Sequence, residues 1–304
     1  MRENRKILMR SPSNVRFPVL VLLLGPPLVL FTAFVVVPVF QAAFFSLFKW
    51  NGLGPLDDFR GWNNFLLLFS NPVFAKALGN NLIVVVVSLI VELPLALLAA
   101  LVLAKSSFKL AVLFRTFFFL PYVLSEVIAG VLWQFIYHPQ FGLVKAAYEA
   151  LAPGVQAPAL LGTPDTVLGA IMVVVVWKYF GFHMSILIAG LQDIPTEVQE
   201  AARIDGASES QTLWRIVLPL LKPTILISVF FSVVGSFQLF DIVWAMGKGD
   251  PVNSAETMVT FLYKFGIQRL NIGYGASVAV TIFGLCLLFS LLYSRYMSRQ
   301  ERKA

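Results

Sequence analysis

Three carboxylates and a histidine stand in long apolar runs: Glu92, Glu126, Asp241 and His183. An isolated carboxylate in hydrocarbon costs roughly 2.5–3.5 kcal/mol even on lenient insertion scales, so such groups turn toward a bundle interior or a wet cavity. Two chemistries suit them. They could relay protons, as in a proton-coupled secondary transporter, or paired carboxylates could do acid and base work in a membrane enzyme. The plainer reading is a packed, neutral His183 and carboxylates paired within the bundle. Nothing supports metal or nucleotide chemistry on this chain. Its one cysteine, Cys286, permits neither an internal disulfide nor a cysteine zinc cage, and no Gly-x-x-x-x-Gly-Lys-Ser/Thr loop is present to cradle ATP.

A second patterned feature is the polar segment 192–222. Pro195 suits a helix start, acids follow in the first turn, and Gly206 falls where a left-handed cap would end the helix. Ser208 and Gln211 have capping-box spacing and predict a second short helix, which Pro219 is expected to stop. Val198, Ala201, Ala202 and Asp205 are spaced i, i+3, i+4 and i+7, which predicts one shared face. Alanines there permit close approach. The pattern fits a plug for a partner's groove and an ordinary hairpin packed on its own bundle equally well.

The elements that must position these residues follow from composition. The chain has 304 residues, 58% hydrophobic and only 13% charged, with 28 Phe. Soluble domains run roughly 45–50% apolar and about 25% charged. Much of this exterior therefore needs lipid as its solvent. The net charge of +7 accompanies apolar runs instead of a basic aromatic face, so no nucleic-acid partner is expected. A bilayer core about 30 Å thick needs roughly 20 apolar helical residues. Six runs qualify, over 17–39, 82–104, 110–137, 167–191, 225–246 and 275–296. The first is longer than a signal-peptide core and is read as a retained helix.

Alternate loops carry 15 and 7 of the Lys and Arg residues, with Lys178 inside a run, so both termini and the 192–222 loop are expected in the cytoplasm. The richer set comprises Arg2, Arg5, Lys6, Arg10, Arg16, Lys105, Lys109, Arg115, Arg203, Arg215, Lys222, Arg295, Arg299, Arg302 and Lys303. Trp50, Trp62, Phe65, Phe69 and Phe74 in the outer loop 40–81 suit headgroup depth. No repeat is visible. The reading is one domain over 1–304, an all-α polytopic transmembrane bundle of about six spans in the cytoplasmic membrane, surrounded by lipid.

Glu200-Ala201-Ala202, then Gly206, then Ile216-x-Leu218-Pro219 resembles the EAA loop of membrane subunits of bacterial ABC importers. The resemblance extends through Asn63-Asn64-Phe65, Arg115-Thr116-x-x-x-Leu120-Pro121, Trp133-x-x-Ile136-Tyr137-x-Pro139-x-Phe141-Gly142, Trp177-Lys178, Gly190-Leu191-Gln192 and Ser236-Phe237-Gln238-x-Phe240-Asp241. Together these are similar to the carbohydrate permeases of the maltose and glycerol-phosphate type. A Gly-Gly-Gly-Pro run common there is replaced by Gly247-Lys248-Gly249-Asp250-Pro251.

The resemblance implies a permease, not an enzyme, that moves sugar by alternating access. It implies a second, non-identical permease, a cytoplasmic ATPase dimer carrying ATP and Mg, and an extracytoplasmic solute-binding protein. Glu200, Ala201, Ala202, Asp205, Gly206 and Ala207 would couple to the ATPase. Trp177, Lys178, Tyr179, Phe182, Ser236, Gln238 and Asp241 would line the sugar pathway, although aromatics at helical spacing are more often core and Lys178 or Asp241 could instead reach the interface or pair within the bundle.

Overall fold

The computed structural model describes residues 17–104 and 109–301. Of the charges counted for orientation, Arg2, Arg5, Lys6, Arg10, Arg16, Lys105, Arg302 and Lys303 lie outside the described residues. Described regular structure is helical, apart from an isolated antiparallel bridge between Phe48 and Phe59.

Prolines set the character of the long helices. α1 (Phe17–Phe31) passes through a π-helical turn (Thr32–Val36) into α2 (Val37–Phe45). After the short α3 (Asn63–Phe69), α4 (Pro72–Val87) passes through a second π turn (Ser88–Glu92) into α5 (Leu93–Ala104). Pro38 and Pro94 each sit two residues beyond a π turn. A helical proline lacks its N–H and collides with the carbonyl four residues back. Widening the ladder to a five-residue step relieves the collision: the Val37 N–H reaches the Thr32 carbonyl, and the Leu93 N–H that of Ser88.

The apolar run 110–137 is not one rod. α6 (Lys109–Val123) and α7 (Glu126–Ile136) meet at 100°. α8 (Leu143–Leu151) precedes α9 (Val167–Gln192), the most buried of the membrane helices, which packs on α5, α6 and several later helices. α10 (Thr196–Ile204) and α11 (Glu209–Thr212) form the knuckle, and a third π turn (Leu213–Val217) leads into α12 (Leu218–Phe237). Pro219 therefore does not stop the helix as expected. The Leu218 N–H bonds the Leu213 carbonyl, and helix continues over Glu209–Phe237. The run 225–246 is also split, because α12 ends at Phe237 and α13 (Asp241–Gly247) starts after a break. α14 (Met258–Phe261), a π turn (Leu262–Gln268) and α15 (Ile272–Glu301) complete the described chain.

Among the described residues, five helices are long and apolar enough to cross a bilayer, or six if α6 and α7 count as one broken span. Several exceed the sequence expectation: 82–104 becomes Pro72–Ala104. One apolar cluster joins α4, α7, α9 and α13 around Val174, Ile242 and Met246. Another joins α5, α9 and α12 around Ala100, Met184 and Leu221, directly beneath the knuckle. Helix α6 lies so close to α9 that a Cβ at Gly181 would run into the Phe118 carbonyl, so this position has room for hydrogen only. In the outer loop, Trp62 and Phe69 are exposed as an interfacial role requires, whereas Phe74 is core, its ring 5.4 Å from that of Phe261.

Candidate functional site: a cavity between broken helices and a knuckle at one end

Breaking a helix inside hydrocarbon strands backbone carbonyls, and each must find a donor. At the α6–α7 break that donor is Lys178 of α9. Its ammonium donates to the carbonyls of Pro121 at 3.1 Å, Tyr122 at 3.0 Å and Leu124 at 2.6 Å. An ammonium has three N–H bonds, and all three are used. Lys178 is 2% exposed. It therefore fastens the bend and has no donor left for a solute. Ser125 completes the junction by accepting the Ile128 N–H at 3.2 Å as the cap of α7.

The α12–α13 break is fastened differently. The Asn81 amide of α4 donates to the Ser236 carbonyl at 2.6 Å, while its oxygen accepts the Met258 N–H at 2.8 Å. The Thr257 hydroxyl donates to the Leu239 carbonyl at 2.8 Å. Nearby Asn80 donates to the carbonyls of Ser254 and Glu256, and Lys264 holds the buried Glu256 carboxylate at 2.7 Å. The expected pathway list contained none of these fasteners except Lys178. For Asn80, Asn81 and Thr257 the partners are backbone groups 18 to 177 positions away, which a linear pattern does not show.

The two breaks flank a cavity of about 530 Å³. Five of the seven residues expected along the pathway line it: Tyr179, Phe182, Ser236, Gln238 and Asp241. Trp177 does not. Its ring packs 5.4 Å from Trp133 against the α9 core, and Lys178 sits behind the wall, 5.6 Å from the Tyr122 ring centre and 5.8 Å from that of Tyr179. The carboxylates and imidazole considered for a relay line the same space. Glu92, His183 and Glu126 fall in two separate pairs. His183 Nε2 lies 3.2 Å from Glu92 Oε1, and the Tyr179 hydroxyl donates to Glu126 Oε1. Tyr122, which the sequence reading passed over, stacks on Phe182 with ring centres 4.6 Å apart and planes 19° from parallel.

The knuckle is built as its sequence predicts at both caps. Gly206 has φ +78°; its N–H reaches the Arg203 carbonyl and the Ala207 N–H that of Ala202, which is a Schellman closure. Ser208 and Gln211 exchange the two bonds of a capping box, at 2.8 and 3.2 Å. The expected shared face does not survive intact. Ala202 is 7% exposed and turned into the chain, whereas Val198, Glu200, Ala201, Asp205 and Gly206 are exposed and Ala207 is half-buried. Ile204 at 86% and Trp214 at 68% exposure add bare apolar surface at this end. Arg203 and Arg215 belong to the same end, and Lys222 lies 5.6 Å from the Tyr296 ring, which puts the last turns of α15 there too.

A helical membrane protein with broken helices around a cavity, and with two cavity-bearing helices joined by a capped knuckle, has the architecture of a transport permease. Residues 92–302 match the family described as binding-protein-dependent transport system inner membrane component, and this chain belongs to that family. It is therefore a multi-pass transport component of the inner membrane and not an enzyme. It is 33% identical over 271 residues to a probable ABC transporter permease protein, YurN, of Bacillus subtilis, covering 89% of this chain and 93% of that one. It is 30% identical over 284 residues to the sulfoquinovosyl glycerol transport system permease protein SmoG of Agrobacterium fabrum, covering 92% and 91%. It also resembles a chain in the crystal structure of a bacterial ABC transporter involved in the import of the acidic polysaccharide alginate. That match has a TM-score of 0.78 at 25% identity and covers 93% of this chain and 95% of that one.

Proposed function

We propose that this chain is one of two non-identical permease subunits of an ATP-driven carbohydrate importer, working by alternating access. One observation carries the mechanism: the knuckle joins α9 to α12, and these two helices form facing parts of the cavity wall, through Tyr179, Phe182 and His183 on one and Ser232 and Ser236 on the other. A force on the knuckle therefore reaches the α12 wall through continuous helix and the α9 wall across the three-residue turn 193–195. The π turn at Leu213–Val217 keeps that path unbroken past Pro219.

In this reading the knuckle and both termini face the cytoplasm. Arg203, Arg215, Lys222, Arg295 and Arg299 at the knuckle end support that orientation. Glu200, Ala201, Asp205, Gly206 and the exposed Ile204 dock in a cleft of a cytoplasmic ATPase dimer, which holds ATP and Mg. Ala202 and Ala207 support the knuckle from behind. An extracytoplasmic binding protein delivers the solute, ATPase closure swings α9 and α12 to open the cavity outward, and hydrolysis resets it. The aromatic faces of Tyr122, Tyr179 and Phe182 suit the C–H faces of sugar rings, and Ser236, Gln238 and Asp241 suit their hydroxyls.

Reconstitution tests this directly. The full complex in proteoliposomes should take up a carbohydrate only with ATP and the ATPase subunits, and a protonophore should leave the rate unchanged at constant ATP. Uptake without the ATPase, or collapse under the protonophore, would replace this reading with the proton-coupled one.

A further inference from the structure

We propose that this chain's wall of the pathway admits uncharged polyhydroxylated solutes and disfavours anionic ones, such as phosphorylated or uronic-acid sugars. The inference rests on the permease reading and assigns the solute class of the same site. Among the described residues, three carboxylates line the cavity, Glu92, Glu126 and Asp241, and no Lys or Arg does. Lys178, near the wall, stands behind the Tyr122 and Tyr179 rings with its N–H groups on the Pro121, Tyr122 and Leu124 carbonyls. Recognition of a phosphate or carboxylate needs charge-assisted donors, from a guanidinium, an ammonium or a helix N-terminus.

The remaining source of donors is closed as well. The α7 N-terminus is capped by Ser125 and carries Glu126 in its first turn, and the first turn of α13 carries Asp241. If Lys178 is set against Glu126, and the Glu92–His183 pair is counted as neutral, Asp241 still leaves the wall negative. A sugar hydroxyl both donates and accepts, so it can bond the carboxylates of this wall, whereas an anionic group brings acceptors to a wall already rich in them. One uncompensated carboxylate about 8 Å from an anion, at an effective dielectric of about 20, biases affinity roughly thirtyfold, which physiological salt reduces to about fourfold.

The test needs no knowledge of the solute. In the assembled complex, Cys286→Ser removes this chain's one cysteine and Gln238→Cys places a thiol on the cavity wall. Rates of modification by anionic, neutral and cationic methanethiosulfonates are measured, each normalised to the same reagent's rate with 2-mercaptoethanol. We expect the anionic reagent to react about fourfold more slowly than the neutral one, and the gap to close when Glu126→Gln and Asp241→Asn are added. If the double substitution prevents assembly, the ratio in the Gln238→Cys complex decides alone. Equal anionic and neutral rates, a gap unmoved by removing the carboxylates, or no reaction with the neutral reagent would each overturn the proposal. ATP-driven uptake of a neutral sugar by the unmodified complex is read separately, so failure of the permease reading is distinguishable from failure of this one.

Discussion

Replacing Lys178 with methionine removes the donor that fastens the α6–α7 bend. Three carbonyls lose their partner, those of Pro121, Tyr122 and Leu124 at 3.1, 3.0 and 2.6 Å. A hydrogen bond from a charged donor contributes about 1.5–3 kcal/mol. Burying the ammonium costs several kcal/mol, which methionine does not incur. The net loss is then roughly 2–4 kcal/mol, enough to lower the thermal midpoint of the detergent-purified complex by on the order of 5–10 °C. Arginine should rescue only in part, because a planar guanidinium cannot aim three N–H groups from one nitrogen. Thermal unfolding and uptake are measured together. A residue that touches the solute would raise the apparent KM while leaving the midpoint alone. Lys178→Met with an unchanged midpoint and a raised KM would refute the fastening role and return Lys178 to the pathway.

Other outcomes follow from the same geometry. Asn81→Leu leaves the Ser236 carbonyl and the Met258 N–H without partners in a site of 0% exposure, so a loss of about 2–5 kcal/mol is expected, read as a lower thermal midpoint. Gly181→Ala forces α6 from α9 and should cost at least about 1–3 kcal/mol, seen as reduced yield of assembled complex on size-exclusion chromatography. At Gly206 nothing lies within 4 Å of an added Cβ, so Gly206→Ala carries only the left-handed backbone cost of about 1–2 kcal/mol and should retain much of the transport. Gly206→Pro cannot adopt φ +78° and loses the N–H bond to Arg203, so membrane insertion should persist while ATP hydrolysis and uptake come apart in proteoliposomes. Wild-type coupling in that variant would contradict the knuckle's role.

Features set by a few neighbouring residues could be read from the chain. The Gly206 closure and the Ser208–Gln211 box are local backbone devices whose donors and acceptors lie within six positions, so spacing alone predicted them. Apolar run length likewise located the cores of the long helices. Both helix breaks were hidden because apolar side chains continue through them: hydropathy records what lipid tolerates, not where the ladder stops. The π turns explain why Pro219 misled, since a proline ends a helix only where the ladder cannot widen ahead of it. Lys178 looked like a solute ligand because its partners, 54 to 57 positions away, are carbonyls and carry no signature in the sequence. Tyr122 was passed over for a related reason. It sits just after Pro121 in an aromatic-rich stretch, and only the bend turns its ring onto Phe182.

The most direct trial of the account asks which side of the membrane the knuckle occupies and what grips it. Ala201→Cys in the Cys286→Ser chain places a lone thiol on the exposed surface of α10. In the assembled complex it should be shielded from reagents outside the cell, should react with reagents inside, and should cross-link to the ATPase subunit with a yield that changes when ATP closes the ATPase dimer. Modification from outside, or efficient cytoplasmic modification with no cross-link to the ATPase in any nucleotide state, would contradict it.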